Sequence, residues 1–345
     1  MLIHPQFDPV AFRLGFVAMS WYGLMYCLAF LSCWGLAHYR IKKGLSALCT
    51  AYEINDSAFH IFLAVVVGGR LGYVLFYNPA HYLAHPLEIF ATWQGGMSFH
   101  GGFLAVTFTT LYLVRKHHKN WWQATDFLAP IVPFGLMLGR VGNFINGELW
   151  GRPADPGLPW AMIFPRAGDT LPRHPVQLYH AGLEGLALFA LLWFYCRRER
   201  PTGSASGFFL IGYGCFRVFA EFFREPDRGI LAQSYPVTLG QWLSLPLIAL
   251  GVFLVWLGLR KTRPAVVIPG AFFLGYGVFR VLVEFFRAPE HGGIFSAAST
   301  VSIGQCLSIP MIVLGVFLVW VAHIRHAGVA SRVWALLNLD YRRRD

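Results

Sequence analysis

The chain has 345 residues, of which 56% are hydrophobic and 13% charged, with a formal net charge of +11. A soluble domain carries roughly 25% charged residues, so this composition excludes an ordinary globular protein and indicates an all-α, polytopic membrane protein. The positive charge lies in short runs between apolar stretches, which argues against a nucleic-acid surface and marks cytoplasmic loops instead.

In chain order, apolar spans are expected at about 16–38, 56–77, 97–114, 124–146, 178–196, 207–225, 239–259, 268–288 and 303–324. The basic runs "YRIKK" (39–43), "RKHHK" (115–119), "RRER" (197–200), "RKTR" (260–263) and "RRR" (342–344) all fall on one side when these nine spans alternate. That arrangement places the N-terminus outside and the C-terminus in the cytoplasm. The opening "MLIHPQFDPVAF" has no basic n-region and no small-residue cleavage site, so the first span is expected to be retained. Cysteines at 27, 33, 49, 196, 215 and 306 show no metal spacing and suit small apolar roles. The outer segment 147–177 is rich in Pro and Gly but contains "LPWAMIFP", which predicts an ordered substructure on the membrane surface.

An internal repeat follows span five. "GFFLIGYGCFRVFAEFFREP" (207–226) matches "GAFFLGYGVFRVLVEFFRAP" (270–289) at 13 of 20 positions, and "LGQWLSLPLIALGVFLVW" (239–256) matches "IGQCLSIPMIVLGVFLVW" (303–320) at 13 of 18. A two-helix unit is duplicated in one orientation, which is not the inverted repeat of a transporter.

Polar side chains within these spans are the informative ones, because a charge in hydrocarbon is costly and seldom without a role. "GRVGNFINGELWGR" (139–152) gathers Arg140, Asn143, Asn146, Glu148, Gly151 and Arg152 at the outer end of span four. Arg140, Asn143 and Gly147 follow helical spacing along one stripe. Arg140 there suits a lipid phosphate, or else the headgroups or an acid such as Glu148. In span six, Tyr213, Arg217, Glu221 and Arg224 share one face inside an aromatic sheath. An Arg–Glu clamp fixing helix packing explains Glu221 with one arginine and leaves the other unpaired. "GGMSFHGG" (95–102) sets His100 between glycines that admit backbone or a ligand, and histidine is a proton acceptor near neutral pH. "WYG" (21–23) contributes Tyr22, also readable as an interface anchor. "GGRLGYVLFYN" (68–78) adds Arg70, which needs an acid or a phosphate, and "RHPVQLY" (173–179) opens span five. No metal site, nucleotide loop or cofactor fingerprint is present, so no cofactor and no metal are expected. The pattern is an anion pocket at outer-leaflet depth, with a phospholipid headgroup as its natural ligand.

At these residues the chain resembles the prolipoprotein diacylglyceryl transferases. "WYGLMY", "GGRLGYVLFYN", "GGMSFHGG", "GRVGNFINGELWGR", "RHPVQLY…LEG" and "SGFFLIGYGCFRVFAEFFREPD" follow that family's order over about residues 8–258. The resemblance implies a bacterial inner-membrane enzyme that moves the diacylglyceryl group of phosphatidylglycerol onto the lipobox cysteine of a prolipoprotein signal peptide. It implies His100, Arg140 and Arg217 as catalytic residues, with Tyr22, Arg70, Asn143, Asn146, Glu148, Gly151, Tyr213, Glu221 and Arg224 around the substrate. It also implies a seven-helix core over 1–260, followed by the duplicated pair and a basic tail over 261–345. Val176 and His180 depart from the family's "RHPSQLYE" form, which has Ser and Glu there. The second copy repeats the polar face as Tyr276, Arg280, Glu284 and Arg287. Another lipid-headgroup transferase or an anion or lipid transporter are the alternatives, and polar groups confined to the outer half disfavour transport.

Overall fold

Helices make up most of the fold, and their boundaries follow capping chemistry. A computed structural model of the chain describes residues 2–259 apart from 15–16, 46–48, 93–94 and 226–238, together with 312–313 and 316. Span eight, all of span nine but those last three residues, and the Tyr276–Arg287 copy of the polar face lie outside the described residues.

Helix α1 (Trp21–Lys42) is capped by Ser20, whose hydroxyl accepts from the Gly23 N–H at 3.1 Å. The expected start at 16 is displaced because β2 (Val10–Leu14) and β3 (Val17–Ser20) pair as an antiparallel hairpin. Helix α2 (Ala51–Phe76) opens on a capping box: Thr50 Oγ1 accepts from the Glu53 N–H at 3.2 Å, and Glu53 Oε2 accepts from the Thr50 N–H at 2.7 Å. A short arm, α3 (Pro79–Ala84) and a 3-10 turn (Pro86–Phe90), leads to α4 (Phe99–Lys116), capped by Ser98.

Span four is two helices, α5 (Trp121–Leu128) and α6 (Val132–Ile145), bent by 49°. Pro130 sits in the break, where its missing N–H and its ring interrupt the helical ladder. Span five is also irregular: α7 (Val176–His180) passes through a π turn (Ala181–Ala187) into α8 (Leu188–Tyr195). Helix α9 (Ser204–Glu221) ends before Arg224, and α10 (Leu239–Leu259) coincides with span seven. By length and composition, two helical stretches among the described residues can cross a membrane, Ala51–Phe76 and Val176–Tyr195, or three with the bent α5–α6 pair.

The all-α expectation needs amending for short strands. β1 (Leu2–Ile3) pairs in parallel with β4 (Met162–Ile163), and β4 pairs antiparallel with β5 (Pro172–Arg173). The segment 147–177 is thus ordered, tied to the start of the chain. His4 donates from Nε2 to the Phe144 carbonyl at 2.7 Å and stacks on the fully buried Phe164 ring, 5.1 Å away.

Glycines set how closely the helices approach. A Cβ on Gly101 would lie 2.3 Å from the Gly68 carbonyl oxygen and 2.8 Å from Gly72 Cα, so α2 and α4 cross backbone to backbone. Such contact between small residues is the usual basis of helix association in lipid. Gly207 of α9 and Gly251 of α10 meet in the same way. The glycines after His100 therefore admit a neighbouring helix, where the sequence had left a ligand equally open.

Candidate active site

Glu184 is the centre of the polar cluster. It lies in the π turn, only 1% exposed, and a widened turn re-aims side chains relative to a regular helix. Gly185 beside it lets the turn press on Met137 of α6, where a Cβ would come within 2.5 Å of the Met137 Cβ. Arg140 of α6 reaches Glu184 Oε2 from Nη2 at 3.5 Å, and Arg217 of α9 reaches Oε1 from Nη1 at 3.6 Å. The arginines of spans four and six are therefore brought together by one carboxylate supplied by span five.

A second carboxylate completes the cluster. Glu221, 2% exposed, faces Arg217 Nη2 at 3.5 Å and accepts from Arg224 Nη1 at 3.1 Å. The expectation of an unpaired second arginine in span six is corrected: both share Glu221, and Arg224 does so from beyond the end of α9. Gly240, in the first turn of α10, abuts this acid; a Cβ there would lie 2.5 Å from Glu221 Oε1. Three guanidiniums (Arg140, Arg217, Arg224) thus face two carboxylates (Glu184, Glu221), with His180 beside them. Arg217 Nη1 is buried and makes no hydrogen bond among the described residues. It faces Glu184 Oε1 across an ion pair of 3.6 Å, just beyond hydrogen-bond distance.

His180, one turn before Glu184 and 2% exposed, places Nδ1 2.6 Å from Glu184 Oε1 and Nε2 4.0 Å from Glu221 Oε2. A carboxylate only accepts, so Nδ1 carries the hydrogen.

The "GRVGNFINGELWGR" segment forms the adjoining wall. Buried Asn143 donates from Nδ2 to Glu148 Oε1 at 2.8 Å, and Gln177 donates to the Glu148 carbonyl at 2.6 Å. Glu148 is thus the partner of Asn143, and the acid beside Arg140 is Glu184. Asn146 caps the end of α6, and Arg166 donates to its carbonyl. Gly147 ends the Arg140–Asn143 stripe by turning the chain with φ +62°. Tyr22 of α1 packs on α6 at Gly142 and bonds Tyr26 through their hydroxyls at 3.2 Å. Tyr213 stacks on Phe209 one turn before Arg217.

Gly151 is a three-way junction. Its N–H bonds the His174 carbonyl at 3.0 Å, its own carbonyl accepts from Arg173 Nη1 at 3.0 Å, and a Cβ would lie 2.6 Å from the Phe223 carbonyl. Arg152 donates to the Arg224 carbonyl at 2.8 Å. Arg173 also pairs with Asp169 at 2.6 Å and Glu225 at 2.9 Å, so it fastens the 147–177 substructure to the end of α9. The hydrogen bond from Arg173 holds the Asp169 carboxyl below its usual range.

Two further sequence candidates lie on α2 and α4. Arg70, expected to need an acid or a phosphate, is held by backbone carbonyls. Its guanidinium donates to the carbonyls of Glu88 and Gly95, each at 2.6 Å, of Ile89 at 2.9 Å and of Gly96 at 3.1 Å, and it stacks on Tyr82. It pins the α3 arm. His100 sits in the first turn of α4, which packs along α2, and its ring touches that of Phe99.

The sequence profile of the prolipoprotein diacylglyceryl transferases matches residues 9–257 and matches again over 252–321. The chain belongs to the prolipoprotein diacylglyceryl transferase family. A phosphatidylglycerol–prolipoprotein diacylglyceryl transferase of Dechloromonas aromatica is 60% identical over 76% of this chain and 99% of its own length. Those of Nitrosomonas europaea and Cupriavidus metallidurans are 57% and 54% identical, over 75% and 74% of this chain and 93% and 95% of theirs. The second match falls on the duplicated unit. What sequence reasoning missed in this diacylglyceryl transferase is the role of Glu184. The available signal was Gln177, His180 and Glu184 at helical spacing in an otherwise apolar span.

Proposed function

We propose that the Arg140–Glu184–Arg217 cluster binds the phosphate of phosphatidylglycerol and that the protein transfers its diacylglyceryl group to the lipobox cysteine of a prolipoprotein. The thiol sulfur attacks the glyceryl carbon bonded to the phosphate oxygen. That C–O bond breaks, and glycerol phosphate leaves with the bonding electrons. The leaving phosphate gains charge as the bond breaks, which guanidiniums fixed in a water-poor site stabilise. A free thiol has a pKa of about 8.5 and must lose its proton in the step. His100 is the proposed acceptor or orienter. Tyr22, Asn143, Asn146, Glu148, Gly151, Tyr213, Glu221 and Arg224 shape the surrounding pocket, and Arg70 holds the arm beside it.

The carrying observation is that two intramembrane arginines share one buried carboxylate at long range, while Arg217 Nη1 keeps unused donor capacity. The proposed setting is the bacterial inner membrane, with the N-terminus and 147–177 periplasmic and the C-terminus cytoplasmic. The proposed organisation is a transferase core over 1–260 followed by a duplicated unit over 261–345.

The test is purified protein with labelled phosphatidylglycerol and a lipobox peptide, followed for a thioether product. Arg217→Ala is expected to abolish product and Arg280→Ala to leave it. The opposite result moves the site to the second copy. Movement of the anion with no thioether formed would indicate transport.

A further inference from the structure

We propose that His180 is a positioning residue of the transfer site: by donating from Nδ1 to Glu184, it holds that carboxylate back from Arg140 and Arg217 so that both guanidiniums keep donors for the lipid phosphate. The inference rests on the phosphate-binding reading above.

The distances carry it. An unhindered guanidinium–carboxylate pair closes to about 2.7–2.9 Å. Glu184 lies 3.5 Å from Arg140 and 3.6 Å from Arg217, yet only 2.6 Å from His180. The short bond to the imidazole therefore fixes the carboxylate, and the two arginines approach it loosely. Burial of His180 and Glu184 to 2% and 1% exposure denies water the chance to compete. The other ring nitrogen faces Glu221 Oε2 at 4.0 Å, and neither atom has a hydrogen-bond partner among the described residues. One ring thus spaces both acids that hold the three guanidiniums. Without it, Glu184 is free to close on a single arginine and neutralise it.

The experiment uses the full chain in micelles of detergent and phosphatidylglycerol, with a lipobox peptide as acceptor. It compares His180→Leu, His180→Asn and His180→Gln. The amide nitrogen of Asn falls near the Nδ1 position, whereas that of Gln falls near Nε2. Loss of a hydrogen bond to a charged group corresponds to roughly 10–100-fold. His180→Leu and His180→Gln are expected to lower kcat/KM by that factor, chiefly through a raised KM for phosphatidylglycerol, with His180→Asn within about threefold of the parent. Three equal activities overturn the inference, as does an Asn variant no better than Leu, or a loss that follows thermal stability in all three. Arg140→Lys and Arg217→Lys are run alongside. If both keep full kcat/KM, the phosphate-binding reading itself fails; if they lose it while His180→Leu does not, only the positioning role fails.

Discussion

Replacing Glu184 with glutamine is the most searching perturbation of the cluster. The side chain keeps its volume and one acceptor oxygen but loses the charge that faces Arg140, Arg217 and the His180 N–H. Removing one partner of a buried ion pair costs about 3–5 kcal/mol. The amide oxygen retains one hydrogen bond worth about 1 kcal/mol, so the net loss is about 2–4 kcal/mol. At about 2–4 °C per kcal/mol for a chain near this size, Tm in detergent should fall by roughly 5–15 °C. Activity should fall further than stability, because the two guanidiniums lose their common counter-charge and repel each other. Loss of a preorganised transition-state contact reduces kcat by about 10²–10³. The measurements are a thermal melt and the thioether assay on the same preparation, well below its Tm. An unchanged Tm with full turnover would refute the bridging role of Glu184.

Arg70→Gln should lower Tm by more than 5 °C, since it abandons four part-buried carbonyls at about 1 kcal/mol each; hydrogen exchange over 79–92 should rise, and an unaltered exchange profile would contradict the pinning role. Burial holds the His4 imidazole below its ordinary pKa, against the bond to the Phe144 carbonyl and with repulsion from Arg166 in support. The unfolded chain then binds more protons below about pH 6.5, so this group's stabilisation is present above that pH and is lost on acidification. Protection factors over 2–4 and 162–163 should therefore fall between pH 7 and pH 5, and His4→Gln should flatten that dependence.

The polar chemistry was legible in the sequence because hydrocarbon makes it conspicuous: Arg140, Arg217, Glu221 and Arg224 stand out against apolar spans and do converge. The span limits were legible where caps were written out, as in "TAYE" at the start of α2. Pairings between distant elements were not. Nothing local tells that Arg140 meets Glu184, or that Arg70 is satisfied by carbonyls from residues 88–96. The widened turn around Glu184 has no composition signature, and the short strands at 2–3 and 162–163 exist only because two remote segments meet.

The kinked span has a mechanical consequence. Asp126 in α5 accepts from the backbone N–H groups of Gly203 and Ser206 at 2.5 and 2.7 Å, gripping the start of α9. Beyond the bend, α6 presents Arg140 to the carboxylate that also faces Arg217, near the far end of α9. One broken helix therefore spans another like a caliper with a jaw at each tip. A change in the angle at Pro130 would alter the spacing of the jaws, so distortion at the Asp126 end is transmitted along α9 to the guanidiniums.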